Sequence, residues 1–224
     1  HGEFSPGEKI RVTAGLRYDD MKYVYDNKMS DADIVVNPTS TKFPLTYKHV
    51  SDTTVSFSRL SPKLGMTYQF DESMSGFLSY REAFRAPSEG QLFRSGRNDN
   101  SVNLKPVKVA SIEAGLRSKN KNTNYNISFY YMTKKDDILT YQDGAIHETV
   151  NAGKTLHQGV EIGYGNKLSE SLTLDIAASY AKHTYEEWNP EPTVSYSGNE
   201  MESAPRLVAN TRLGYKASIL NGGK

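Results

Sequence analysis

Eight stretches of this chain alternate apolar and polar residues one by one, and a period of two dictates β-strands with one greasy and one wet side. From Ile10 to Tyr18, the residues Ile10, Val12, Ala14, Leu16 and Tyr18 share a face, while Arg11, Thr13, Gly15 and Arg17 share the other. Leu64, Met66, Tyr68 and Phe70 oppose Lys63, Gly65, Thr67 and Gln69, and Ala110, Ile112, Ala114 and Leu116 oppose Ser111, Glu113, Gly115 and Arg117. The design recurs at Tyr125–Tyr131, Val160–Tyr164, Leu172–Tyr180 and Arg212–Tyr215. It is least clean from Met74 to Phe84, where Phe77 and Leu78 are both apolar. The expected strands are roughly 9–26, 53–70, 74–84, 107–117, 123–133, 157–167, 171–185 and 205–217. The fold class is therefore all-β, an antiparallel meander of about eight long strands.

Two environments suit such ribbons. No apolar run approaches the ~20 residues of a membrane-crossing helix, and only 37% of residues are hydrophobic. A transmembrane barrel with a wet interior needs only alternate residues to be apolar, so it shares this composition with soluble proteins. Fifteen tyrosines against eight phenylalanines and one tryptophan suit a membrane interface, where an apolar ring ends in a hydroxyl. Charges stand in mid-strand at Arg11, Arg17, Lys63, Glu113, Glu161, Asp175 and Arg212, as the lining of an aqueous lumen would require.

Connection lengths separate the two. They alternate short (71–73, 118–122, 169–170) and long (85–106, 134–156, 186–204). Compact soluble domains rarely gather long loops on one edge and tight turns on the other. Outer-membrane barrels do, with short periplasmic turns and long external loops. The strands starting at 9, 74, 123 and 171 are then expected to run outward, with both termini periplasmic. The first residue, His1, and the turn-like Asn221–Lys224 read as cuts, so a segment of a longer protein is expected. A soluble all-β binding module remains the rival; it requires Leu16, Ile127, Phe129, Ile176 and Leu213 to converge on a dry core.

Several stretches resemble the C-terminal barrel half of TonB-dependent outer-membrane receptors of the siderophore and iron-complex type. They are AGLRYDD (14–20), LSPKLGMTYQF (60–70), YREAFRAPSEGQLF (80–93), VNLKP (102–106) and IEAGLR (112–117). FYYMTKKDDILTY (129–141), NAGKTLHQGVEIGY (151–164) and SAPRLVANTRLGY (203–215) continue the pattern in order over nearly the whole chain. The resemblance implies a barrel of about 22 strands closed by a plug, of which residues 1–224 supply about a third, without plug or final strands. It implies import of a scarce ligand, usually a ferric siderophore, haem or cobalamin, driven through the TonB complex by way of that plug. Haem receptors of the family place a histidine between FRAP and NPNL boxes. Phe84–Pro87 match the first, Val102-Asn103-Leu104 only partly match the second, and residues 88–101 hold no histidine. That leaves a haem iron without its axial ligand and favours the ferric siderophore.

A mouth for an anionic ferric complex needs guanidinium donors and aromatic faces. The candidates in the long connections are Arg85, Arg94, Arg97, Tyr141, Tyr185 and Trp188. Gly159, Gly163 and Gly165 read as close-approach positions in the wall. The Asp-Asp pairs at 19–20 and 136–137 lack a calcium-loop pattern and read as solvated loop ends. None of the five histidines (His1, His49, His147, His157, His183) stands at a metal-ligand spacing, so no metal site is expected. No cofactor is expected either. With no cysteine, thiolate chemistry and disulfides are excluded. No nucleophile elbow, phosphate-cradling loop or HExxH motif is present, so no enzyme activity is expected. A net charge of +1 offers nucleic acid no field; the expected partners are the ligand, TonB through the plug, and outer-membrane lipid. The alternatives that stay open are a haem or cobalamin receptor of the same family, a passive porin-like barrel, and the soluble module.

Overall fold

The alternation is realised as a large antiparallel sheet. The computed structural model describes residues 2–29, 34–36, 45–94, 100–143, 146–151, 153–189 and 194–217. In chain order the strands are β1 (Gly2–Phe4), β2 (Ile10–Tyr25), β3 (Ile34–Val36), β4 (Leu45–Tyr47), β5 (Thr53–Gln69), β6 (Met74–Arg85), β7 (Val107–Lys119), β8 (Thr123–Lys135), β9 (Ile138–Asp143), β10 (Ile146–Asn151), β11 (Lys154–Lys167), β12 (Leu172–Glu187) and β13 (Leu207–Tyr215). One turn of helix, α1 (Glu89–Leu92), and a 3₁₀ turn (Asn100–Asn103) lie between β6 and β7. Nine strands form the sheet in the order β1-β2-β5-β6-β7-β8-β11-β12-β13, a pure meander from which the hairpins β3–β4 and β9–β10 stand aside. All eight expected strands are present. The connection at 134–156 differs from expectation, because β9 and β10 pair within it from Ile138↔Asn151 to Asp143↔Ile146.

Register keeps the two faces chemically distinct across the sheet. Val12, Met66, Leu78, Ala114, Phe129, Val160, Tyr180 and Leu207 are directly paired in one row over eight strands. One residue away runs Thr13, Gly65, Ser79, Glu113, Tyr130, Gly159 and Ala181. A slip by one residue would exchange these sets, so the pattern fixes the pairing. No second layer covers the apolar face: Leu16, Phe129 and Leu213 are 63%, 58% and 64% exposed. The dry core that a soluble sandwich requires is thus not formed by these residues.

The irregular stretch in β6 resolves by face. Leu78 joins the apolar row, whereas Phe77 turns to the polar side, where the Arg117 guanidinium lies 4.3 Å from its ring centroid. Room for the ring comes from Gly115, since a Cβ there would stand 2.6 Å from Phe77 Cε1 and 2.4 Å from the Ile127 carbonyl oxygen.

Candidate functional site

Towards the long-loop ends of the strands the polar face changes character. Tyr23 and Tyr25 on β2, Val55 and Phe57 on β5, and Val107 and Val109 on β7 occupy positions that alternation assigns to the wet side. They receive the connection after β6. Leu92, Leu104, Val107 and Ile138 form a buried cluster, packed by Tyr23, Val55, Phe57, Phe93 and Val109. Pro87 and Leu92 are fully buried, and Phe93 stacks on Tyr25 with centroids 4.5 Å apart and planes 9° apart. The connection therefore folds inward across the wet face.

This docking also bridges a seam in the sheet. The β5–β6 ladder ends at Lys63↔Arg81, although β5 continues pairing with β2 as far as Thr53 and β6 with β7 as far as Arg85. Arg59 Nη2 reaches across to Glu82 Oε2 at 2.7 Å, and the cluster joins residues from both banks. Polar ties hold the segment. The Ser88 N–H donates to Gln91 Oε1 (3.0 Å), and Ser101 Oγ donates to the Leu92 carbonyl (2.6 Å). Asn151, at the end of β10, accepts from the Lys105 N–H at 2.7 Å and donates to the carbonyls of Lys105 and Asp136 at 2.9 and 2.8 Å.

The six candidate residues fall into separate groups. Arg85 ends β6 and Arg94 follows α1; both are exposed, and Arg85 donates a long 3.5 Å bond to Gln91 Oε1. Arg97 lies outside the described residues, as does the side chain of Tyr141, whose backbone belongs to β9. Tyr185 and Trp188 meet at the end of β12, with ring centroids 4.8 Å apart, and Tyr196 stacks on the other side of Trp188 at the same distance. Tyr185 is only 4% exposed and its hydroxyl donates to Glu202 (3.4 Å), so its ring props the tryptophan instead of facing outward. The Trp188 Nε1 donor is buried and has no acceptor among the described residues. Gly198, at φ +85°, makes the turn that returns the chain past Tyr185.

The lining carries paired charge. Arg81 bonds Glu113 at 2.7 Å across β6 and β7, and Arg212 bonds Asp175 at 2.9 Å across β12 and β13. In the connection before β13, the bond from Arg206 holds the Glu200 carboxyl below the usual carboxylate range. Of the Asp-Asp pairs, 19–20 lies within β2 and not at a loop end, whereas 136–137 does occupy the bend between β8 and β9 but is not solvated at Asp137. Asp19 sits within β2, where Arg17 Nε bonds both its oxygens, and Asp137 is buried beside Lys134 Nζ at 3.2 Å. Asp136 adopts φ +56°, which aspartate tolerates better than most residues.

Features that the sequence reading missed are Phe93 on Tyr25, the Tyr196 face, the Asn151 clamp, and a contact between His157 and His183. The two histidines pair directly across β11 and β12 with Nδ1 atoms 2.7 Å apart, and Thr155 Oγ1 lies 3.0 Å from His157 Nε2. Among the described residues, no three His, Asp or Glu side chains gather into a metal centre.

Comparison with known proteins gives a consistent answer. A family model described as TonB dependent receptor-like, beta-barrel, matches residues 2–223. An uncharacterized TonB-dependent receptor of Haemophilus influenzae is 23% identical over 166 residues, 74% of this chain and 46% of that protein. The ferrioxamine B receptor of Salmonella typhimurium is 26% identical over 177 residues, 78% of this chain and 24% of that protein. The solved structure of the copper transporter OprC superposes with TM-score 0.75 at 18% identity, over 96% of this chain and 32% of that one. At that identity the likeness establishes the fold alone. The chain spans between about a quarter and a half of the length of the curated relatives it matches.

Proposed function

The chain belongs to the TonB-dependent receptor-like β-barrel family, and on that footing we propose that it supplies wall and ligand mouth to an outer-membrane receptor importing an anionic iron complex, a ferric siderophore. The family is one of transporters, not enzymes. The observation that carries the finer reading is the inward-docked connection after β6. It anchors a rigid platform on the wet face and leaves Arg85 and Arg94 exposed at its two ends. Exposed guanidinium groups suit the oxygen-rich, negatively charged shell of a ferric chelate. Trp188, held between Tyr185 and Tyr196, adds an aromatic group at the same end of the strands. The name of the Salmonella relative supports a ferric siderophore as the ligand class, though not its charge.

In this reading the apolar rows face lipid, the polar rows border the lumen, and the long-loop end is extracellular with the tight turns periplasmic. β2, with 16 residues, and β5, with 17, exceed the ~9–11 residues a tilted strand needs to cross a bilayer, so their long-loop ends stand clear of it. Residues 1–224 are then part of a barrel whose plug and remaining strands lie elsewhere in a longer polypeptide. External groups capture the ligand, and TonB-driven rearrangement of the plug lets it pass.

Calorimetric titration of the intact receptor with ferric catecholate, citrate and hydroxamate chelates, haem and cobalamin tests the reading. One ferric chelate is expected to bind, and Arg85→Ala or Arg94→Ala should each weaken it about tenfold or more, the scale of a lost charge-assisted hydrogen bond. Binding of haem or cobalamin alone, or a chelate affinity indifferent to both substitutions, overturns it.

A further inference from the structure

The histidine contact belongs to a longer lateral row. Met132 on β8 stands directly opposite His157 on β11, which stands opposite His183 on β12. Next to β12, the Thr184↔Glu200 bridge and the bond from the Met201 N–H to the His183 carbonyl (2.9 Å) place Met201 opposite His183. The row continues through Ser111 and Arg81 to Lys63, so all four residues lie on the polar face. Two imidazoles in contact are thus flanked on each side by a thioether one strand away, about 4.8 Å in backbone spacing. Residues far apart in sequence thus bring two imidazoles and two thioether side chains into one lateral row of the polar face.

We propose that Met132, His157, His183 and Met201 form a binding site for a soft monovalent metal ion, Cu(I). Thioether sulfur selects Cu(I) over harder cations, and imidazole accepts it equally well. The buried acid nearby, Asp137, is committed to Lys134 at 3.2 Å, and Glu200, beside Met201, is committed to Arg206, so neither carboxylate is free for calcium, magnesium or manganese. The Nδ1 atoms, 2.7 Å apart, share one hydrogen bond, so one nitrogen holds the proton and the other a lone pair until a metal takes the proton's place. Nitrogens around one tetrahedral metal stand ~3.3 Å apart, so the rings part by ~0.6 Å on loading. Thr155, fully buried, completes the arrangement. With its hydroxyl oxygen accepting from His157 Nε2–H at 3.0 Å, it leaves His157 Nδ1 as the ligating atom. In that tautomer His183 Nδ1–H is the donor of the histidine pair, and its proton moves to Nε2 when the metal enters. The site is independent of the ferric-chelate reading.

The test is competition of the intact receptor, in detergent under reducing conditions, against the chromophoric Cu(I) chelator bicinchoninate. One tightly held Cu(I) is expected. His157→Asn with His183→Asn should lower the affinity at least about 100-fold, and Thr155→Val about tenfold. Met132→Leu with Met201→Leu, close in volume and safe for folding, should weaken Cu(I) about tenfold or more while leaving Zn(II) binding unchanged. Heat-dependent gel migration verifies that each variant barrel is folded. No Cu(I) held beyond that of the folded histidine variant overturns the site; an affinity unmoved by the folded methionine variant overturns its soft-metal character.

Discussion

One amide, Asn151, makes three hydrogen bonds that join the connection after β6 to the turn before β9. A methyl group in its place leaves the exposed Lys105 N–H and carbonyl to water and the half-buried Asp136 carbonyl without its amide partner. Asn151→Ala is therefore expected to cost about 0.5–1.5 kcal/mol locally. Limited proteolysis of the intact receptor should show new cleavage between residues 86 and 106 while the sheet stays protected; an unchanged pattern removes Asn151 from the anchoring role. At the opposite end of the strands, Asp71 closes the tight turn between β5 and β6. The Ser73 N–H and hydroxyl, each 2.8 Å from Asp71 Oδ1, hold its carboxyl below the usual range, helped by the Met74 N–H and by Lys9. Because the folded value is depressed, the turn's stabilisation is complete above the ordinary aspartate value of ~3.9 and is lost as pH falls through the folded one. Asp71→Asn should make this turn exchange amide hydrogens faster near neutral pH, and the difference from wild type should vanish in strong acid. A difference that persists there contradicts the assignment.

The docked connection is the element whose stability can be separated from that of the sheet. Leu92 is fully buried in its cluster, so Leu92→Ala should cost about 2–5 kcal/mol. The segment, its seam and the first residues of β7 depend on the cluster, so hydrogen exchange should report loss of protection at 87–94, 100–104 and the start of β7, with the rest of β7 and β8 unaffected. Uniform loss over the sheet would mean that the cluster is a global core. The main strands were legible because one face is apolar and the other is not, which fixes both element and register. The docked connection was not, since Val107, Val109 and Tyr23 read as ordinary strand-end residues until a partner is known to cover them. The β9–β10 hairpin hid for a similar reason: its six-residue strands carry too short an alternation to stand out within a long connection. The arginines and aromatics at the mouth were legible as types, but not the burial of Tyr185. The histidine contact did leave a trace. His157 and His183 are equidistant from the turn at Glu170, and both fall on the polar parity of their strands. Pairing arithmetic about the 169–170 turn recognised in the sequence brings them within one residue of each other, and the observed centre at Glu170 makes them direct partners.

At the scale of the whole molecule, everything rests on which medium each face meets. The apolar rows are exposed over eight strands, an expanse that a soluble monomer rarely presents to water. The polar face, by contrast, carries the pairs Arg81–Glu113 and Arg212–Asp175, which a hydrocarbon layer would penalise. Ile162 and Glu161 are adjacent on β11, both exposed, and on opposite faces. In lipid vesicles holding the intact receptor, a nitroxide at Ile162 should be relaxed by oxygen, which concentrates in the bilayer. At Glu161 it should be relaxed by a water-soluble nickel chelate. Stability should follow the same division. Ile162→Arg puts a charge against acyl chains at an expected cost of about 2–4 kcal/mol near the midplane. Glu161→Arg exchanges one solvated charge for another and should move the unfolding midpoint little. Equal costs at the two positions, or reversed quencher access, would mean that the oily rows meet protein and not lipid, and a barrel wall could not then be built from this sheet.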